Sequence, residues 1–345
     1  MGTHSFGLES RRVPSVEHTL INASRGALIA LIVIFGATLL LGIRPSLETQ
    51  MVIYLVGMVA LNLPHGGYEH FTNVRRRGLP FGLRYVALYV AFLAAFVGLF
   101  LVAPALALLI ALATAVAKGG HGDLRVMDAI VGTDHLQYRS QRVLAALVRG
   151  GAVMILPLAL WVGPYTSFST IMLNVFDPGA GLPGIAYVEP ARIALLGLFG
   201  VGVVAHLGGG LLIDGMSRSW MLDAFETSLL VVFFTVVPVV VAIGLYFPLW
   251  YSLRQSARSV VVEREEASPD DGMPVVAAWG VLVVGALATA LVMVAIWGIA
   301  PDPLGGAALL PGLVAFYTLF ICIVALPHVV VGEWLDFKRG IWYVP

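Results

Sequence analysis

Nine apolar runs, each near the thickness of a bilayer, dominate this chain: residues 26–43, 50–66, 83–103, 105–119, 143–163, 192–213, 221–249, 274–299 and 306–331. Lipid offers no hydrogen bonds to a backbone, so such a run predicts a helix that satisfies its own. Composition agrees. Of 345 residues 59% are apolar and 12% charged, with a mean hydropathy of +0.93, against about 45–50% and about 25% in a soluble domain. Soluble globular, disordered and collagenous chains are excluded. The predicted fold class is all-α: a polytopic transmembrane helical bundle.

Lys and Arg set the expected orientation. Arg11, Arg12 and Arg25, the joint 67–82 with Arg75, Arg76 and Arg77, and the joint 118–142 all carry positive charge, whereas 164–190 has none. The first three are expected to be cytoplasmic. Arg254, Arg258 and Arg264, and Lys338 and Arg339 in the tail, place those segments inside too. Three runs lie between 142 and 252, an odd number. One of 143–163, 192–213 and 221–249 is therefore expected to be broken or re-entrant, leaving eight full crossings. The domains read as a cytoplasmic segment 1–25, a transmembrane domain 26–335 and a cytoplasmic tail 336–345, multi-pass in the cell membrane.

Twenty basic residues balance twenty acidic ones, so no basic face points to nucleic acid. The single cysteine, Cys322, excludes an intramolecular disulfide. The polar N-terminus does not read as a secretory signal. No internal repeat supports a transporter.

Candidate chemistry rests on histidines at membrane depth. His65 closes the second run in Pro64-His65-Gly66-Gly67-Tyr68-Glu69-His70, and His121 closes the fourth in Lys118-Gly119-Gly120-His121-Gly122-Asp123. His328 follows Pro327 in the last run. All three are expected at one level on the cytoplasmic side. Several imidazoles there can hold iron, copper, zinc or nickel, with Glu69 and Asp123 fixing their tautomers. A lone membrane histidine can equally hydrogen-bond a neighbouring helix. His206, beside a glycine run, reads as close helix packing; His4, His18, His70 and His135 read as solvated. In Tyr246-Phe247-Pro248-Leu249-Trp250-Tyr251-Ser252-Leu253-Arg254-Gln255, Tyr251 and Gln255 share a helix face. By composition alone that stretch is an aromatic interface belt with an arginine anchor.

These motifs resemble, in order, those of the bacteriorhodopsin-related (Brp/Blh) family of membrane β-carotene 15,15′-dioxygenases. Residues 64–70 are similar to the family's Pro-His-Gly-x-x-Asp-His. His121, followed by Arg149-Gly150-Gly151 and Pro157, is similar to its His-Phe-Gly block and Arg-Gly…Pro segment. Residues 246–255 look like its Tyr-Phe-x-x-Trp-His-Ser-x-Arg-His, and Pro327-His328 like a Pro-His near its C-terminus. The resemblance implies Fe(2+) held by four histidines. Carried over by position, two are His65 and His121, while the other two positions hold Tyr251 and Gln255, with His328 as a further candidate. It also implies β-carotene and O₂ as reactants, retinal as product, and a retinal-binding rhodopsin as partner. Tyr246, Phe247 and Trp250 are expected to line a substrate tunnel. Because two expected histidines are replaced, a diverged paralogue that only binds or delivers a carotenoid or retinal is the alternative.

Overall fold

A computed structural model of the chain describes residues 15–61, 83–182, 184, 188–266 and 275–335. Among these residues the chain is helical, with no strand. Helices α1 (Val16–Leu40) and α2 (Leu47–Leu55) come first, and α2 widens into a π-helical turn, Val56–Leu61. Next follow α3 (Leu83–Val102), α4 (Pro104–Ile130), α5 (Arg139–Leu160) and α6 (Val162–Asn174). Then come α7 (Glu189–Asp214), α8 (Arg218–Val236) and α9 (Val239–Tyr246), which runs through a second π turn, Phe247–Ser252, into α10 (Leu253–Glu266). The last two are α11 (Val275–Ile299) and α12 (Leu309–Leu335).

Six of these helices are long and apolar enough to cross a membrane, and shorter apolar helices accompany them. One interruption is expected among three runs and two of them are divided, the first being 221–249. Helix α8 stops at Val236, Val237 is extended (φ −80°, ψ 131°), and Pro238 caps α9. Proline forces this, since its ring disfavours a helical residue before it and it has no N–H to donate. The run 143–163 is also divided, at Trp161 (φ −113°, ψ 46°) between α5 and α6. The run 192–213 lies inside the uninterrupted α7.

Three stretches expected as polar joints contain helix instead. Helix α4 continues twelve residues past Lys118 to Ile130, so His121 sits inside a helix rather than at its exit. Residues 162–174 form α6, whose Tyr165, Phe168 and Met172 turn towards the interior. Helix α10 carries 253–266. Polarity predicted loops because it predicted water. In α4 the buried Asp123 meets arginines inside the protein, which removes the reason to unwind.

Two apolar clusters hold the bundle together. One joins Phe96, Phe100, Met172, Phe316 and Phe320; the other joins Leu28, Phe199, Phe233, Phe234, Tyr246 and Trp250. Lipid tails are as apolar as leucine, so helix association here depends on close packing more than on escape from water. The tightest crossing is α4 on α5. A Cβ on Gly120 would strike the backbone of Ala146, and one on Gly150 the carbonyl of Val116. Only glycine at both places lets the two backbones touch.

Candidate functional site

The second and third sequence motifs meet at Gly122. A Cβ there would come within 2.8 Å of both Tyr251 Cε2 and Gln255 Nε2. Gln255 Nε2 donates a hydrogen bond to the Gly122 carbonyl oxygen at 2.9 Å. Pro248, lacking an N–H, sits inside the π turn Phe247–Ser252 that carries Tyr251, where the widened turn accommodates the missing bond. The other π turn, Val56–Leu61, packs against this one. Its Met58 carbonyl is satisfied from outside the helix, by Tyr317 Oη at 3.0 Å. The turn thus ends four residues before His65 and beside the turn of Tyr251. His65 and Glu69 lie outside the described residues. His328 belongs to α12, and its side chain lies outside them as well. Among the described residues no three His, Cys, Asp or Glu side chains stand together so as to hold a metal ion.

An apolar cavity lies between α2, α4, α6, α9 and α12. Along α4 it extends from Leu108 to Lys118, which is about 15 Å at the helical rise. Met58, Ala111, Met172, Ile243 and Ile321 supply much of its carbon wall. Of its few polar groups, Tyr54 and Thr318 hydrogen-bond to each other. Lys118 and Tyr251 stand at one end, with Lys118 Nζ 5.5 Å from the Tyr251 ring centroid. Gly122 is one turn further along α4. Of the expected tunnel residues, Phe247 is on the wall. Tyr246 packs instead on Phe234, with ring centroids 5.4 Å apart, and the Trp250 indole covers the Arg254 guanidinium at 4.4 Å. Tyr251 takes their place at the wall.

Behind Gly122 is a buried cluster of ions. Arg149 Nε donates to Asp123 Oδ2 (2.8 Å), Nη1 to Asp223 Oδ1 (2.7 Å) and Nη2 to Glu226 Oε2 (2.7 Å). Arg254 Nε donates to Asp123 Oδ1 (2.7 Å), and its two Nη groups grip both oxygens of Glu226 at 2.7 and 2.9 Å. Arg25 of α1 adds two bonds to Glu226 Oε1. Three guanidiniums therefore face three carboxylates. Bidentate, charge-assisted bonds of this kind are strong and directional. Burial works against the Arg254 charge, but Asp123 and Glu226 outweigh it and raise its pKa. Asp223 Oδ2 also faces two imidazoles, His135 Nε2 at 2.8 Å and His206 Nε2 at 3.0 Å.

Residues 56–336 match the family described as β-carotene 15,15′-dioxygenase. The chain belongs to that family. It is 47% identical, over the whole of both chains, to a protein named probable β-carotene 15,15′-dioxygenase Brp, found in two strains of Halobacterium salinarum. It is 28% identical to the probable β-carotene 15,15′-dioxygenase Blh of the same organism, over 87% of this chain and 88% of that one. No solved structure matches it.

The residues singled out in the sequence fall in different surroundings. His121, Tyr251 and Gln255 lie on touching turns. The expectation that Asp123 steadies an imidazole meets a different arrangement. Both its oxygens are held by arginines, Arg149 and Arg254. His135, expected in water, is buried against Asp223 and Ser219. His206, read as helix packing, lies against the same carboxylate. Asp223 and Glu226 were not singled out in the sequence. Their signal was there: two acids three residues apart, followed by an apolar run.

Proposed function

We propose that the chain is a membrane-bound, iron-dependent dioxygenase of the cell membrane that cleaves β-carotene at its central double bond into two molecules of all-trans-retinal. The apolar cavity ending at Tyr251 and Lys118, one turn from Gly122, is the observation that carries this reading. A long hydrocarbon makes no hydrogen bonds and is selected by shape, which suits a carbon-walled chamber with few polar groups.

Imidazole is a ligand type that suits iron(II), and the first two motifs supply His65 and His121. With Gln255 Nε2 committed to the Gly122 carbonyl, Oε1 is the donor atom that side chain has left. Together with His65 and His121 it would offer two imidazoles and one neutral amide oxygen, a weaker set than the two-histidine, one-carboxylate triad of non-haem iron(II). His65, His121 and Gln255 would hold the ion, Tyr251 and His328 are further candidates, and Glu69 would orient an imidazole. Iron, when bound, supplies O₂ activation beside the central bond. The chain's own part is positioning. The walls formed by α4, α6 and α12 align the polyene, and Phe247 and Tyr251 offer it aromatic rings. Water is excluded from the chamber by its carbon surface. Both oxygen atoms of O₂ end in the two aldehydes, so no general base is required. A retinal-binding rhodopsin in the same bilayer is the proposed recipient.

Expression in cells that accumulate β-carotene tests this. The orange colour should bleach and retinal should appear, and purified protein should carry close to one iron per chain. Cells that stay orange overturn it. One observation favours a second reading: Tyr251 and Gln255 stand where two histidines were expected. On that reading the chain binds or delivers a carotenoid or retinal without cutting it. It predicts a metal-free, coloured protein.

A further inference from the structure

The chain has two lysines and eighteen arginines. Arginine serves almost everywhere this sequence needs a positive charge, yet the cavity wall carries a lysine, Lys118. The two differ chemically. A guanidinium keeps its proton, whereas a primary amine can lose one and attack a carbonyl carbon. Lys118 Nζ lies 5.5 Å from the centroid of the Tyr251 ring, at the end of the cavity nearest Gly122. It precedes His121 by three residues on the same helix, about 4.5 Å along the axis. An aldehyde made by cutting a polyene at that level would have its carbonyl carbon beside this amine and its hydrocarbon tail in the chamber towards Leu108 and Met172.

We propose that Lys118 binds a conjugated aldehyde of the retinal class covalently, as a reversible imine, within the apolar cavity. The aldehyde class rests on the proposed function; the amine's place in the cavity does not. In this step the ammonium gives a proton to water and the nitrogen lone pair adds to the aldehyde carbon. The carbonyl oxygen then leaves as water and a carbon–nitrogen double bond forms. Water reverses the sequence and returns amine and aldehyde, with no change in oxidation state. When the imine nitrogen is protonated, the face of Tyr251 offers the cation the same favourable quadrupole that it offers the ammonium. The device retains a reactive product in the membrane and releases it by hydrolysis.

The test adds all-trans-retinal to the full chain in lipid, reduces with borohydride and maps the adduct by peptide mass spectrometry. A retinyl increment on the peptide containing Lys118 is expected, lost in Lys118→Arg and kept in Lys338→Arg. An adduct confined to Lys338 or the N-terminal amine, or no adduct at all, overturns the inference. If Lys118→Arg fails to accumulate, the mapping in the unaltered chain decides by itself. A chain that labels at Lys118 but leaves β-carotene uncut keeps this inference and overturns the dioxygenase reading. A chain that cuts β-carotene and never labels does the reverse.

Discussion

On one side of α4, from Leu108 to Lys118, the helix lines a chamber of almost pure hydrocarbon; on another, at Asp123, it is gripped by two guanidiniums in a cluster of buried ions. The chamber has few directional bonds, so shape decides what enters. The ion cluster is nearly all directional bonds, and it joins α1, α4, α5, α8 and α10. Asp123 is two residues from His121, and Arg254 is next to Gln255. Locking those two charges together therefore fixes where the second and third motifs meet. Buried ion pairs are weak evidence for stability in themselves, but removing one partner strands the others. Here the cluster positions, and on the proposed function the cavity binds.

The sharpest way to break this comparison is to remove an arginine from the cluster. Arg149→Met leaves Asp123, Asp223 and Glu226 short of a partner. It should cost about 3–5 kcal/mol, measured as a lowered unfolding midpoint in detergent. A loss under about 1 kcal/mol, the scale of an exposed pair, would mean that the cluster holds nothing in place. Next in size is Gly150→Ala, where a methyl meets the Val116 carbonyl of α4. Overpacking of this kind costs about 1–3 kcal/mol, and it should move the α4–α5 crossing without touching a charge.

The cavity should answer differently. Ala111→Phe fills its wall midway along α4. Retinal yield should fall about tenfold, equivalent to about 1.4 kcal/mol, while the unfolding midpoint moves less than in the arginine variant. Equal effects on yield and stability would erase the distinction between the two regions. The smallest contrast is between two histidines of polar stretches. His135→Leu removes bonds to Asp223 and Ser219 and should cost about 1–3 kcal/mol. His18→Ala, on the exposed start of α1, should stay within about 0.5 kcal/mol.

Apolar run length made the bundle legible, and Pro238 marked the break inside 221–249, because span length and proline chemistry act locally. The polar stretches look like loops in the sequence for one physical reason. Lys118 to Ile130 and Leu253 to Glu266 carry charges that sequence alone assigns to water, while the structure pairs Asp123 and Arg254 with residues far away in the chain. Pairing across helices has no local signature. The meeting of the second and third motifs is legible in sequence only as a resemblance; its physical cause, a bare Gly122 beneath the side chains of Tyr251 and Gln255, is a contact between distant turns. His135 follows the same rule: its neighbours spell a loop, while its partner Asp223 is eighty-eight residues on.

The most direct measurement is retinal formed from β-carotene by purified, iron-loaded protein, compared between the unaltered chain and His121→Ala, with helical content and iron read in the same samples. The account predicts retinal and bound iron in the first, and loss of both from an equally helical second. Undiminished retinal from the His121→Ala chain would contradict it.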